Sequence, residues 1–163
     1  MRRPSDKENA SIISQEQAGP PRVPNVFSGE ISISTRGDCD ILDITAQLEQ
    51  LVHDSGIIEG IGCVFVPGAT GALTAMEFEP GVVADLRAAL QRLAPSEIEY
   101  QHHLKWKDGN GHSHVRAALI GPSVTVPIRE GRLPLGTWQQ IVFIELDVRP
   151  RKRSLLVQIV GIA

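Results

Sequence analysis

The stretch HVRAALIGPSVTVPIREGRLPLGTWQQIVFIELDVRPRKRSLLVQIV, residues 114–160, decides the fold class of this chain. Its apolar runs predict four successive strands, over residues 114–120, 123–128, 139–147 and 155–160, with Gly, Pro and charged residues at the turns between them. Strands that follow one another without helices favour antiparallel or mixed pairing over a doubly wound parallel sheet. We therefore predict a compact, β-rich α+β fold.

The residues before this stretch predict three more strands and two main helices. Residues 27–36 alternate in part between apolar and polar side chains, residues 60–66 are a continuous apolar run, and residues 72–78 form a third strand. One helix follows Asp43 and closes at Gly56, and a second starts at Pro80. Residues 96–111 lack a clear period, and we expect a long loop there.

The chain divides into a tail and one domain. Residues 1–25 are rich in Ser, Gln, Glu, Pro and Arg and predict a disordered N-terminal tail, so residues 26–163 form the single domain. No apolar run is long enough for a signal peptide or a membrane span, so we expect a cytoplasmic protein without a membrane partner. The net charge of -3 argues against nucleic acid as a partner.

Although the net charge is negative, the sequence contains one basic cluster, formed by Arg149, Arg151, Lys152 and Arg153. A short run of charges is usually a solvated turn between strands, and we favour that interpretation. The alternative is the rim of an anion-binding site.

Four of the five histidines lie between positions 102 and 114. If His112 and His114 begin a strand, their side chains point to the same face and can reach one cation. His102 would supply a third imidazole, and three protein ligands with an open position are typical of a catalytic zinc site. The alternative is a polar loop whose histidines are solvated.

Other polar residues stand at the ends of predicted strands. Thr70 lies in a Gly-rich turn whose backbone N–H groups can bind phosphate, although turn formation alone explains the glycines. Residues 136–139 place a hydroxyl, an indole N–H and an amide at a strand entrance, where they can orient an anion or pack. The candidate general bases or orienting carboxylates are Glu77 and Glu145, the candidate anion-holding residues are Thr70, Thr137 and Gln139, and further substrate-binding candidates are Trp138 and Asn110.

Several of these segments together resemble the YjbQ-like family, described broadly as secondary thiamine-phosphate synthases. The likeness covers roughly residues 27–161, in order and at the expected spacing, and the Gly-Thr-Trp-Gln segment is its sharpest part. The matching motifs are Phe65-Val66-Pro67, Tyr100-Gln101-His102, the segment from His114 through Ala117-Ala118-Leu119-Ile120-Gly121, Val126-Pro127-Ile128, Gly131-Arg132 and Gly136-Thr137-Trp138-Gln139.

The resemblance implies a compact α+β fold, a homotrimer, and a polar pocket near the subunit interface that sometimes holds a metal ion. His102 and His114 match histidines of the family, and Glu145 matches an acidic position. Gly68 stands where many members have a histidine after the strand proline, which indicates a divergent branch in which His112 compensates.

Three hypotheses follow for the function, and one of them is a structural or interaction protein whose histidine loop is mobile and empty. The first is a metal-assisted enzyme for a small phosphorylated substrate, in which His102, His112 and His114 bind a divalent cation, with zinc expected. Thiamine phosphate formation is one reaction of this kind. The second is a trimer that binds a metal or a metabolite without turnover.

Overall fold

The computed structural model describes residues 22–163, apart from the side chain of Trp106, so most of the predicted tail of residues 1–25 lies outside the described residues. The elements in chain order are β1 (Asn25–Ser34), β2 (Asp40–Asp43), α1 (Thr45–Ser55), β3 (Glu59–Phe65), β4 (Gly71–Met76), α2 (Pro80–Leu93), α3 (Gln101–Trp106), α4 (Gly111–Ile120), β5 (Ser123–Ile128), β6 (Gln140–Glu145) and β7 (Lys152–Ile162).

The strands form two antiparallel sheets, which confirms the β-rich α+β prediction. The first sheet has the order β1-β7-β3-β5 and the second has the order β2-β6-β4. Every ladder within them is antiparallel, as the late run of strands predicted. The described residues contain four helices, where the sequence predicted two main ones.

The second sheet is covered on both faces, because β6 carries apolar side chains on each side. Ile141 and Phe143 pack with Leu48 of α1 and with Leu155 of the first sheet. Their neighbours along the strand point the other way and pack against α2 and α4. A strand buried on both faces has a continuous apolar sequence, and Ile141–Val142–Phe143–Ile144 has that composition.

The helix ends follow the local chemistry that the sequence indicated. Gly56 ends α1 in a left-handed conformation with φ 65°, which costs a glycine no steric energy. Pro80 occupies the first turn of α2, and the carboxylate of Glu79 accepts a hydrogen bond from the Val82 N–H. The predicted N-cap at Asp43 is wrong, because Ile44 is the N-cap residue of α1. Asp43 lies two residues before the helix and accepts a hydrogen bond from the Thr45 N–H at 2.9 Å.

The predicted strand at residues 114–120 is wrong, because these residues belong to helix α4. The predicted loop at residues 96–111 also contains a helix, α3. The buried positions of α4 include His112, Ser113, Arg116 and Ala117, which recur with the period of a helix. Positions two apart on a helix point about 200° apart, so His112 and His114 cannot share a face as they would on a strand.

Between residues 22 and 163 no helix is both long enough and apolar enough to span a membrane.

Candidate functional site

A polar pocket of about 510 Å³ lies where the start of β7 meets the segment that contains α3 and α4. One side, here called the strand wall, comes from β7 and the residues beside it. The other side, the helix wall, comes from residues 102–114. The lining residues are Ala69, Thr70, His102, Asp108, Asn110, His114, Asp147, Arg151, Lys152 and Arg153.

Glu145 lies beneath the strand wall and is completely buried. Arg153 donates to its two carboxylate oxygens at 2.7 and 2.6 Å, and the hydroxyl of Thr35 and the N–H of Asp147 each donate at 3.1 Å. The hydrogen bond to Glu145 raises the pKa of Arg153. Because four donors already occupy its carboxylate, Glu145 orients Arg153 rather than standing free as a general base.

Asp147 holds the second guanidinium of the strand wall. Arg151 donates twice to Oδ2 of Asp147, at 2.9 and 2.6 Å, and the Thr70 hydroxyl donates to the same oxygen at 3.3 Å. Burial by itself would raise the pKa of Asp147, but the hydrogen bonds from Arg151 and from the Arg149 backbone outweigh it and lower the pKa. Arg153 also donates to the Thr70 hydroxyl at 2.8 Å, which joins the two ion pairs.

The helix wall brings two of the predicted histidines together. The ring centroids of His102 and His114 are 4.4 Å apart, with the ring planes at 45°. Oδ1 of Asp108 lies 3.5 Å from Nε2 of His102. The Asn110 amide is satisfied when its nitrogen faces these groups, donating to His102 Nε2 at 3.1 Å and to Asp108 Oδ1 at 2.9 Å. In that arrangement Nε2 of His102 is an acceptor, and its proton is on Nδ1.

His112, the third predicted metal ligand, does not line this pocket. It is 4% exposed, with its ring centroid 6.2 Å from that of Tyr100. Burial, and then the nearby charge of Arg116, lower the pKa of His112. Its Nδ1 is buried and accepts or donates no hydrogen bond within residues 22–163. His112 therefore anchors the inner face of α4, and the predicted set of three histidines does not form within the chain.

Two of the three predicted imidazoles, with a neighbouring carboxylate, therefore remain as candidate metal ligands. His102, His114 and Asp108 all line the pocket. Over the described part of the chain, however, no three His, Cys, Asp or Glu side chains are arranged to hold a metal ion. A cation at His102 and His114 would need a further donor from outside the described residues.

Four other predicted residues lie at the far end of the second sheet. Gly71 pairs with Glu145 at the pocket end of the β4–β6 ladder, and Met76 pairs with Gln140 at the opposite end. Five residues of strand separate the two ends by about 16 Å. The residues at or beyond the far end, all exposed, are Glu77, Thr137, Trp138 and Gln139.

The residues that sequence reasoning underrated are Arg151, Lys152 and Arg153. Their charge run was interpreted as a solvated turn, but they line the pocket at the start of β7. The signal was available in the spacing, because Arg151 and Arg153 stand two apart at a strand entrance and so share one face. Their acidic partners, Glu145 and Asp147, have the same spacing at the end of the preceding strand.

These features define a class of protein: a two-sheet α+β domain whose polar pocket sets two oriented guanidinium groups against a pair of imidazoles. The chain belongs to the YjbQ-like family, UPF0047, whose family model matches residues 29–162. A UPF0047 protein of Methanothermobacter thermautotrophicus is 37% identical over 136 residues, which cover 83% of this chain and 93% of the relative. The UPF0047 protein YugU of Bacillus subtilis is 32% identical over 132 residues, which cover 80% and 97%.

Solved structures of the same family have this fold. A YbjQ-like protein of unknown function from Sulfolobus solfataricus P2 superposes with a TM-score of 0.81 at 36% identity, covering 85% of this chain and 99% of the other. A conserved protein of the YjbQ/UPF0047 family from Clostridium acetobutylicum superposes with a TM-score of 0.73 at 37% identity, covering 80% and 98%.

Proposed function

We propose that this protein is an enzyme that binds a small phosphorylated substrate in the pocket between the strand wall and the helix wall. One observation carries the proposal: Arg151 and Arg153 are held in fixed orientations by buried carboxylates, and Lys152 stands between them. Guanidinium groups bind phosphate through paired N–H donors. Pre-orientation lowers the entropy that such a site loses when the anion binds.

The helix wall supplies groups that can move a proton. Imidazole titrates near neutral pH, and His102 and His114 stand opposite the guanidinium groups across the pocket. With no cation bound, His102 is the candidate proton acceptor, because Oδ1 of Asp108 lies 3.5 Å from its Nε2 and orients the ring. His114 is then the candidate donor to a leaving group. With a cation bound, both imidazoles act as its ligands and neither transfers a proton.

The proposal includes a divalent cation, with zinc as the expected ion. His102 and His114 would hold it, and a phosphoryl oxygen or a group from another subunit would complete the donor set. When bound, such a cation acts as a Lewis acid toward a phosphoryl oxygen. The test is metal content: protein purified without chelators should contain zinc in proportion to the chain, and H102A and H114A should each lose it. H53A is the control, because His53 is exposed on α1.

Thiamine phosphate formation is one reaction of the proposed class, because its leaving group is pyrophosphate, an anion that Arg151 and Arg153 suit. Incubation with hydroxymethylpyrimidine diphosphate and thiazole phosphate, followed by mass spectrometry, tests it directly. Retention of either compound without product supports the alternative, a binding protein without turnover.

A homotrimer is also part of the proposal, and the outer face of the first sheet supports it. Val26, Val160 and Ile61 lie side by side across three strands, and Leu156 is paired with Phe65. These five side chains are 37–63% exposed. An apolar patch of this kind commonly marks a protein interface.

The exposed residues Thr137, Trp138 and Gln139 lie at the far end of the second sheet. In a trimer they would reach the pocket of a neighbouring subunit. Sedimentation equilibrium should give a trimer for the wild type and a smaller species for F65K, while F78K serves as an exposed control.

Phosphate binding tests the central proposal. Calorimetric titration with inorganic phosphate should show binding to the wild type, and R151M should weaken it about tenfold or more, the loss expected for a charge-assisted pair. R149M is the matched control, because Arg149 is exposed and does not line the pocket. Equal losses in R151M and R149M, or no binding to the wild type, would contradict the proposal.

A further inference from the structure

A second cavity, of about 350 Å³, adjoins the pocket along β7. It is lined by Ser32, Ile33, Ser34, Lys152, Arg153 and Ser154. Lys152 and Arg153 also line the pocket, so the two cavities meet at these cations. We call this second cavity the serine groove.

The sheet register explains why three hydroxyl groups gather there. Ser32 is paired with Ser154, and Ser34 is paired with Lys152, so all four side chains project from the outer face of the first sheet. The groove therefore presents the exposed hydroxyls of Ser32 and Ser34 beside the shielded one of Ser154, with an ammonium group at the end nearest the pocket.

The hydroxyl groups of the groove make no hydrogen bond to another described residue. The Oγ of Ser154 is shielded from solvent and has no hydrogen-bond partner among residues 22–163. Ser32 and Ser34 are exposed and likewise make no side-chain hydrogen bond within the described residues. The exposed hydroxyls of Ser32 and Ser34 are therefore available to a ligand in the groove.

We propose that the serine groove binds the hydroxyl-bearing part of a phosphorylated polyol, such as a sugar phosphate, whose phosphate lies at Arg151 and Arg153. A serine hydroxyl donates one hydrogen bond and accepts others, which matches the donors and acceptors of a polyol. Lys152 stands at the junction, where the ester oxygen and the phosphate charge would lie. This inference rests on the proposed function, and it names the substrate class of the same site.

A third cavity also adjoins the pocket, and its lining predicts an apolar ligand rather than a polyol. It measures about 300 Å³ and shares Ala69 and His114 with the pocket, and Ala117 and Ala118 of α4 form one side of it. Because its lining is mostly carbon, it would favour an apolar ester. The unpartnered hydroxyls favour the serine groove, and the two ligand classes can be compared directly.

Calorimetric titration with inorganic phosphate, ribose 5-phosphate and phenyl phosphate tests the inference. Ribose 5-phosphate should bind the wild type about tenfold more tightly than inorganic phosphate, and phenyl phosphate should gain no such advantage. S32A and S34A should each lower the affinity for ribose 5-phosphate roughly two- to tenfold, the effect of one hydrogen bond, and leave inorganic phosphate unchanged. S28A is the matched control, on the same strand and the same face but outside the groove.

The outcomes separate this inference from the proposal on which it rests. Binding of inorganic phosphate that R151M weakens supports the pocket, whatever the groove does. The inference itself is overturned if ribose 5-phosphate binds no more tightly than inorganic phosphate, if phenyl phosphate is preferred, or if S28A lowers the affinity as much as S34A. Because the Ser32 and Ser34 hydroxyls make no hydrogen bond within the described residues, S32A and S34A should keep the wild-type melting temperature, so their effect reports ligand binding.

Discussion

The two walls of the pocket are built in different ways. On the strand wall, Arg153 is bound to a carboxylate that is completely buried, and Arg151 is bound to one that is 4% exposed. On the helix wall, His102 is 28% exposed and its carboxylate neighbour Asp108 is 38% exposed. The Arg153–Glu145 pair is therefore desolvated and hydrogen-bonded, and Arg151, although 45% exposed itself, is held by a buried carboxylate. On the helix wall both partners are open to water.

Because of this difference, we expect the two walls to have different roles in the proposed function. A rigid pair of guanidinium groups binds an anion without reorganising, which suits substrate binding. The helix wall comes from a six-residue helix, a connection and the first turn of α4, and such segments open at lower free energy than the centre of a sheet. Groups that must change protonation or ligand during a reaction can occupy that wall at little cost to the fold.

The largest expected effect is on the strand wall. E145Q should lower the free energy of unfolding by about 3–5 kcal/mol, because it leaves the guanidinium of Arg153 partly buried without its counter-charge. Urea denaturation of the variant and the wild type measures the difference. A loss below about 1 kcal/mol would mean that the pair is as weak as an exposed one and that the walls do not differ.

Much of the fold could be predicted from the sequence, because its strands carry clear signals. The limits of β5 match the prediction, and the apolar run of β6 indicated a strand buried on both faces. Helix α4 could not be identified in the same way. Its sequence mixes His112, Ser113 and Arg116 with apolar residues, and these polar side chains are buried, so the apolar period of the helix is obscured.

The second expected effect concerns the buried face of α4. Because the folded pKa of His112 lies below the ordinary value of 6.5, the unfolded chain takes up a proton there before the folded chain does. The stability that this neutral ring contributes is present above pH 6.5 and is lost as the pH falls below it. The slope reaches at most about 1.4 kcal/mol per pH unit.

H112F should remove this contribution, because phenylalanine has a similar ring and does not titrate. The free energy of unfolding should fall less between pH 7.5 and pH 5 in H112F than in the wild type. H53F is the control, since His53 is largely exposed on α1. Equal pH slopes in the wild type and H112F would show that protonation of His112 is not coupled to folding.

A smaller effect is expected where the helix wall depends on a single amide. Asn110 is 8% exposed and bridges His102 and Asp108, so N110L should cost about 1 kcal/mol, the net value of such hydrogen bonds. Hydrogen exchange should show faster opening of α3 and unchanged protection of β7. N25L, at an exposed strand end, should change neither. If β7 opened as readily as α3 in N110L, the two walls would form one cooperative unit.

The residues that line the pocket were harder to predict than the fold, because they come together only when the strands are paired. Thr70, His102, Asn110 and His114 were predicted from sequence and do line it. His112 was assigned to the same face as His114 because a strand was assumed, and a helix reverses that relation. Arg151 and Arg153 were underrated although their two-residue spacing matches that of Glu145 and Asp147, because the contact between the two pairs depends on how the strand ends meet.

The smallest expected effect belongs to Glu77, which resembles Glu145 in sequence position but not in surroundings. Both carboxylates follow or end strands of the same ladder, yet Glu77 is exposed at the end away from the pocket. E77Q makes the same chemical change as E145Q and should alter the free energy of unfolding by no more than about 0.5 kcal/mol. Its affinity for inorganic phosphate should stay within about twofold of the wild type, a change that lies below 0.5 kcal/mol. A large loss of phosphate affinity in E77Q would show that a second subunit carries Glu77 into the pocket, and the strand wall would then extend beyond one chain.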